Sequence, residues 1–171
     1  MQHRSALPHE AASQALLALG SNVGDRRSQL RRAVEGLAAG GVEVLQTSSL
    51  YLTEPVDYPD QPWFLNQALL VRTRLSPYPL LARCLEVEEA LGRQRRLPKG
   101  PRTIDVDILL YDDRIVSDPK LTIPHPRFHL RRFALTPAAE IAAGWTHPRL
   151  GLSVAGLLER CRDPAQVVRV A

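Results

Sequence analysis

The chain has 171 residues, is 44% hydrophobic and carries a formal net charge of +4. This length and apolar content predict one globular domain that needs neither disulfides nor a structural metal to form its core. The chain contains no apolar run of membrane-spanning length and no secretory signal pattern, so we expect a cytoplasmic protein that has no membrane partner.

Arginine dominates the basic residues, because Lys99 and Lys120 are the only lysines. A guanidinium group binds phosphate in a bidentate fashion, which favours anionic partners. Genomic base bias together with a solvated surface explains the composition about equally well, and a nucleic-acid-binding surface would look similar. The charge therefore points only weakly to phosphate ligands.

The first half of the chain predicts a strand, a helix and another strand. Residues 15–19 form a short apolar run that leads into a turn rich in capping residues, and helical spacing of Leu30, Val34 and Leu37 follows. Residues 42–53 are rich in β-branched side chains, whereas residues 54–62 hold too many prolines for a regular element. We expect residues 1–14 to be a disordered extension and residues 15–171 to be the single domain.

The second half begins with a strand over residues 64–75, and Ser76 followed by Pro77 is typical of a helix start. The apolar stripe of that helix ends at Gly92, and a basic loop over residues 93–101 follows. Later segments give a strand over 102–111, a hairpin return over 114–116, a mixed segment over 133–141 and a short helix over 153–161.

The predicted order β-α-β-β-α-β indicates an α+β fold, specifically a ferredoxin-like three-layer α/β/α arrangement with a mainly antiparallel sheet. Cys84 and Cys161 both fall in apolar helical patterns without metal-ligand spacing. These two cysteines are therefore expected to be reduced core residues.

The segment around Asp105 and Asp107 alternates at a period of two. In a strand the two carboxylates would lie on one face, about 6.5–7 Å apart along the chain, while the intervening aliphatic side chains point into the core. Such a pair suits Mg²⁺, which takes one or two carboxylates together with water and substrate phosphates. The simpler alternative is a solvated acidic strand face. Because aspartate is depleted in strands and like charges repel, the metal interpretation is favoured.

Residues 20–24 join a strand to a helix, as phosphate-binding loops do, but they lack the G-x-x-x-x-G-K-[ST] pattern. We therefore interpret them as a tight turn and helix cap. His125 lies between two prolines, and Arg131 and Arg132 follow. Taken alone, His125 would be interpreted as an ordinary loop histidine and the two arginines as a surface pair. Asn66 fits either an edge-strand cap or an amide that reads a heterocycle, with Phe64 and Phe133 as stacking faces.

Four segments together resemble the 6-hydroxymethyl-7,8-dihydropterin pyrophosphokinase family over roughly residues 15 to 160. They are Leu19-Gly20-Ser21-Asn22-Val23-Gly24-Asp25, Phe64-Leu65-Asn66, Gly100-Pro101-Arg102-Thr103-Ile104-Asp105-Val106-Asp107 and Ile123-Pro124-His125-Pro126. The third segment is the most specific of the four. One departure is Glu54, which stands where members of this family commonly have a proline.

The resemblance implies transfer of the terminal pyrophosphate of ATP to the hydroxymethyl oxygen of the dihydropterin, with release of AMP, in folate biosynthesis. It implies ATP as co-substrate, two Mg²⁺ ions bound by Asp105 and Asp107, and small-molecule partners only, with no nucleic acid; we expect a monomer. It assigns catalytic roles to Arg93, Arg102, Asp105 and Asp107. The implied ATP-binding residues are Glu88, Arg93, Arg95, Arg102, Asp107, Ile108, Lys120, Thr122, His125 and Arg131, and the implied pterin-binding residues are Thr53, Glu54, Val56, Phe64, Asn66, Asp105 and Phe133.

The alternative from another class is a basic, ferredoxin-like RNA-binding module without catalysis. Such a module needs aromatic side chains on its strand face, whereas aromatic residues make up 5% of this chain and the candidate strand carries paired aspartates. The sequence therefore favours the enzyme.

Overall fold

The computed structural model describes residues 11–92 and 103–170. The helices are α1 (Arg26–Ala39), α2 (Pro77–Ala90), α3 (Arg132–Ala142) and α4 (Val154–Arg160). The strands are β1 (Ser13–Ser21), β2 (Val42–Thr47), β3 (Leu50–Thr53), β4 (Phe64–Thr73), β5 (Asp105–Tyr111), β6 (Val116–Asp118), β7 (Leu121–Ile123) and β8 (Val167–Val170).

Six of these strands form one sheet in the order β5-β1-β4-β3-β8, with β2 also paired to β4. Each of these pairings is antiparallel. β6 and β7 form a separate two-stranded ribbon. The described part of the chain therefore confirms the α+β class and the mainly antiparallel sheet.

Two apolar cores lie on opposite faces of the sheet. Leu17 and Leu19 of β1 belong to the core that includes residues of α1 and α2. Leu16 and Ala18, which alternate with them, face the core formed with α3 and α4. The period of two in β1 thus supplies side chains to both layers. The result is the predicted three-layer α/β/α arrangement.

The turn after β1 is a helix cap, as predicted. Gly24 has a positive φ of 72°, and the Asp25 side chain accepts a hydrogen bond of 3.1 Å from the backbone N–H of Ser28 at the start of α1. Gly20, however, lies inside β1 rather than in this turn. Its role is therefore in the sheet and not in the cap.

The predicted hairpin return over residues 114–116 is wrong, because β6 pairs with β7 and not with β5. The chain leaves β5 through Asp112, whose φ is 45°. The backbone N–H of Asp112 donates to the Gln14 carbonyl of β1 at 2.8 Å, and Asp112 Oδ1 accepts from the backbone N–H of Gln14 at 2.9 Å. The turn is thus tied to β1, which directs the following residues away from β5.

Other boundaries also differ from the sequence prediction. The single strand expected over 42–53 is divided into β2 and β3 at Ser48, whose backbone and hydroxyl both bond to Ala68. β1 begins at Ser13, so the last two residues of the expected extension belong to the sheet, while residues 1–10 lie outside the described part. Within the described ranges, no helix combines the length and apolarity needed to cross a membrane.

Candidate active site

The centre of the sheet presents acidic, small and amide side chains in one row. The strand register places Gly20 of β1 opposite Asp105 of β5 on one side and opposite Asn66 of β4 on the other. Two residues before Gly20 in β1, Ala18 lies opposite Asp107. Because neighbouring strands are about 4.8 Å apart, the carboxylates and the amide flank a strip of small residues about 10 Å wide.

A cavity of about 250 Å³ lies above this strip. Every predicted pterin-binding residue lines the cavity, and so do Asp107, His125 and Arg131 from the predicted ATP and metal sets. The remaining lining residues are Ala18, Leu19, Gly20, Pro55, Asp57 and Gln61. The fold thus brings together residues that are more than 100 positions apart in the sequence.

The two aspartates lie as their alternation predicted. Asp105 is half-buried and Asp107 exposed, both on the cavity side, while Ile104, Val106 and Ile108 are buried in the core. Within the described ranges, no three or more carboxylate, histidine or cysteine side chains gather as a complete metal site. Two hard oxygen donors beside a ligand cavity fit Mg²⁺, which retains water and takes substrate phosphate oxygens as further ligands.

Asn66 is held in a defined orientation. Its side chain is almost fully buried, and its amide Nδ2 donates a hydrogen bond of 2.5 Å to Thr53 Oγ1. A Cβ atom at Gly20 would stand only 2.6 Å from Asn66 Oδ1, so the absence of a side chain at Gly20 makes room for the amide. The edge-strand interpretation of Asn66 is wrong, because β4 lies inside the sheet.

His125 contributes a neutral imidazole. Burial, reinforced by the charges of Arg131 and then Arg127, lowers its pKa to about 4. Its Nδ1 accepts a hydrogen bond of 3.2 Å from the backbone N–H of Arg127, which assigns the proton to Nε2. The ring therefore offers an N–H donor at the cavity near neutral pH.

The irregular segment after β3 covers one side of the cavity. Asn22 donates hydrogen bonds to Gln61 Oε1 at 2.8 Å and to the Pro62 carbonyl at 2.9 Å. Asp57 lies 3.6 Å from a guanidinium nitrogen of Arg131 and 3.8 Å from one of Arg127. The turn after β1 and the arginines before α3 thus contact this segment at two points, near its end and near Asp57.

Arg131 also faces one of the two predicted stacking residues. Its guanidinium carbon lies 5.4 Å from the centre of the Phe133 ring. A cation above an aromatic face is attracted to it, so the contact orients both side chains at the cavity wall. Phe64 lines the same cavity, so both aromatic faces that the sequence suggested for stacking a flat heterocycle are present.

Four predicted ATP-binding residues do not line the cavity. Glu88 is buried and accepts a hydrogen bond of 2.9 Å from the backbone N–H of Val106, so it supports the strand that carries the aspartates. Ile108 is buried in the core, and Lys120 and Thr122 lie at the β6–β7 ribbon, exposed and half-buried respectively. Arg93, Arg95 and Arg102 lie outside the described residues.

Sequence reasoning missed several cavity residues. Ala18 and Gly20 form its floor, and a signal existed in two small residues at alternate positions of an otherwise leucine-rich strand. Asp57 and Gln61 lie in the proline-rich segment, where no periodicity marks which side chains face a ligand.

The fold and the site define a class, namely an α+β protein whose sheet carries a carboxylate pair beside a ligand cavity. The fold is shared with the crystal structure of Plasmodium falciparum HPPK-DHPS wild type, with a TM-score of 0.67 and 15% identity over 87% of this chain and 44% of that chain. A structure of HPPK-DHPS in complex with substrates has a TM-score of 0.70 and 12% identity, covering 88% of this chain and 43% of that chain.

The sequence comparisons are more specific. A family model described as 7,8-dihydro-6-hydroxymethylpterin-pyrophosphokinase (HPPK) matches residues 16–143. The 2-amino-4-hydroxy-6-hydroxymethyldihydropteridine pyrophosphokinase of Methylorubrum extorquens is 48% identical over 76% of this chain and 83% of its own length. The enzyme of the same name from Bacillus subtilis is 47% identical over 74% of this chain and 77% of its own length. The chain belongs to the 7,8-dihydro-6-hydroxymethylpterin-pyrophosphokinase family.

Some relatives are much longer. The folic acid synthesis protein fol1 of Pneumocystis carinii is 41% identical over 86% of this chain, which spans only 20% of that protein. Family membership therefore rests on the region that all these proteins share. The alternative of an RNA-binding module finds no support in these matches.

Proposed function

We propose that this protein transfers pyrophosphate from ATP to 6-hydroxymethyl-7,8-dihydropterin, giving the dihydropterin pyrophosphate and AMP, as a step of tetrahydrofolate biosynthesis. The observation that carries the proposal is the row of Asp105, Gly20 and Asn66 across three strands. Together with Asp107, which lies opposite Ala18, it gives two carboxylates and an amide beside one cavity of about 250 Å³. The match to the pyrophosphokinase family supports pyrophosphate transfer as the reaction at this cavity.

The pterin is proposed to lie flat above the small residues of β1. Phe64 and Phe133 line the same cavity and supply aromatic faces for a planar ring. Asn66 is proposed to hydrogen-bond the polar edge of the ring. The bond from its Nδ2 to Thr53 Oγ1 fixes the orientation of the amide, and therefore the positions of its donor and acceptor atoms. An amide held in one orientation discriminates between donor and acceptor patterns on a heterocycle.

The triphosphate is proposed to lie toward the aspartate side of the cavity. Arg131 provides a guanidinium and His125 a neutral N–H donor there, both suited to phosphate oxygens. Asp105 and Asp107 would hold the two Mg²⁺ ions, and Arg93, Arg95 and Arg102 are proposed as further phosphate-binding residues. When bound, Mg²⁺ supplies charge neutralisation of the triphosphate and lowers the pKa of the hydroxymethyl oxygen that attacks the β-phosphorus.

The protein's own contribution is positioning and exclusion of water. The segment after β3 covers one side of the cavity and is held by Asn22 and by the arginines that contact Asp57. An activated phosphorus is open to hydrolysis, so a segment that limits the access of water on that side favours transfer to the pterin.

The test is AMP formation from ATP, Mg²⁺ and the dihydropterin, with controls that lack pterin or contain EDTA. We expect AMP only in the complete mixture. Replacing Asp107 with Ala should lower kcat by at least about 10²-fold while the thermal unfolding midpoint is retained, since a metal ligand is removed from an exposed position. Glu43→Ala, which removes an exposed carboxylate on β2 paired with Arg72, is the matched control. ADP as product, or a fully active Asp107→Ala variant, would contradict the proposal.

A further inference from the structure

The C-terminal tail, residues 161–170, contacts two parts of the chain that line the proposed pterin cavity. The first wall is the segment that begins at Thr53, and the second wall is the start of α3 with Arg131 and Phe133. We propose that this tail is a positioning element that fixes the separation of these two walls and thereby sets the affinity for the pterin. The inference rests on the proposed function, and it concerns a segment that lies beyond the residues matched by the family model.

The tail holds the first wall through Glu54. The backbone N–H of Glu54 donates to the Gln166 carbonyl at 3.0 Å, and Glu54 Oε2 accepts from the Gln166 backbone N–H at 3.0 Å. Directly beyond this bracket, Thr53 of β3 pairs with Val167 of β8. Because Thr53, Glu54 and the two residues after them all line the cavity, the bracket fixes where this wall stands.

The tail holds the second wall through Arg132 at the start of α3. The Arg132 guanidinium donates to the Asp163 carbonyl at 3.0 Å and to the Cys161 carbonyl at 2.8 Å. The backbone N–H of Arg132 donates to Asp163 Oδ2 at 3.1 Å, so this carboxylate caps a helix whose own N-cap residue makes no side-chain cap bond. Arg132 stands between Arg131 and Phe133, which both line the cavity.

The link between the two anchors is short and internally fixed. Only two residues separate Asp163 from Gln166, and Asp163 Oδ1 accepts a hydrogen bond of 3.0 Å from the Ala165 N–H. Further along, Arg169 lies 3.8 Å from Glu140 of α3, and Glu140 also bonds to Ser49 and Tyr51 beside the start of β3. The tail therefore acts as a strap between α3 and the end of β3.

Glu54 supplies both bonds of the first anchor. Its backbone N–H donates to the Gln166 carbonyl, and its side-chain carboxylate accepts from the Gln166 backbone N–H. We therefore infer that Glu54 serves as a positioning residue that joins the cavity wall to the tail.

The experiment compares KM for the dihydropterin with KM for ATP in four variants of the full chain. Asp163→Ala is decisive, because Asp163 does not line the cavity and, within the described part of the chain, its carboxylate bonds the backbone N–H groups of Arg132 and Ala165. We expect Asp163→Ala and Glu54→Ala each to raise the pterin KM about 3- to 10-fold with an unchanged ATP KM. Glu54→Gln keeps an acceptor oxygen and should restore the pterin KM to within about 2-fold of the wild type.

Glu43→Ala is the control for loss of an exposed carboxylate, and it should leave both KM values unchanged. Thermal unfolding is followed for each variant, and Asp163→Asn, which keeps one acceptor oxygen, replaces the alanine variant if that variant does not fold. An unchanged pterin KM in the Asp163 variants, or equal rises in both KM values, would overturn the strap. Failure of the proposed function is distinguishable, because it would show in the wild type and in Glu43→Ala as absence of pterin-dependent AMP.

Discussion

Gly20→Ala should damage pterin binding through Asn66. The added Cβ would stand 2.6 Å from Asn66 Oδ1, and Asn66 cannot simply turn away, because it is buried and its Nδ2 bonds Thr53 at 2.5 Å. A displaced amide no longer pairs with the polar edge proposed for the pterin, and leaving those ligand groups unpaired in the complex costs about 1–3 kcal/mol of binding free energy. That cost corresponds to about a 5- to 150-fold rise in the pterin KM.

The assay is steady-state AMP formation with pterin and ATP varied in turn, accompanied by thermal unfolding. A double-mutant cycle with Asn66→Ala isolates the cause: once the amide is absent, Gly20→Ala should change the pterin KM by no more than about 2-fold. A wild-type pterin KM in Gly20→Ala would refute the reasoning. So would an equal penalty in the two backgrounds, because the methyl group would then act on the ligand directly.

Three further predictions concern pH, charge and thiol chemistry. Because burial lowers the pKa of His125 to about 4 in the folded state, the unfolded state binds its proton first as the pH falls below about 6.5. Unfolding free energy should therefore fall with decreasing pH between about 6.5 and 4 more steeply in the wild type than in His125→Asn, by at most about 1.4 kcal/mol per unit, as measured by urea denaturation. Asp57→Asn should lower the Kd of ATP, measured by calorimetry without pterin, about 1.5- to 5-fold, because this carboxylate lies 3.6 Å from Arg131 and competes with phosphate. Burial raises the pKa of Cys84 to about 12, so iodoacetamide should modify Cys161 and spare Cys84 in the native protein.

Each of these predictions has a contradicting result. Parallel pH profiles of the wild type and His125→Asn would show that the imidazole is not held neutral by the fold. Equal or weaker ATP binding by Asp57→Asn would mean that this carboxylate does not compete for the guanidinium. Alkylation of both thiols at equal rates under native conditions would place Cys84 in an accessible environment.

The sequence predicted the parts of the fold whose residues follow a strong local period. The alternation around Asp105 and Asp107 placed both carboxylates on the cavity side and the intervening residues in the core, as found. The capping residues before α1 and α2 likewise predicted where these two helices begin. Such features depend on neighbours within a few positions, which a sequence displays directly.

Features set by distant contacts were not predictable in this way. β8 is a four-residue strand that depends on its pairing with β3, and no local pattern marked it. The role of Gly20 arises from its register against Asn66 and Asp105, which belong to two other strands. The anchoring of Glu54 by Gln166 joins residues more than 100 positions apart. These contacts are consequences of tertiary packing rather than of propensity.

The most direct test of the central claim follows the phosphorus atoms themselves. Purified protein is mixed with Mg²⁺, the dihydropterin and ATP labelled at the β-phosphorus, and the labelled products are separated. Pyrophosphate transfer predicts that the β-label appears in the pterin product in proportion to the AMP formed, and that AMP is unlabelled. Label retained in ADP, with only the γ-phosphorus reaching the pterin, would contradict the account.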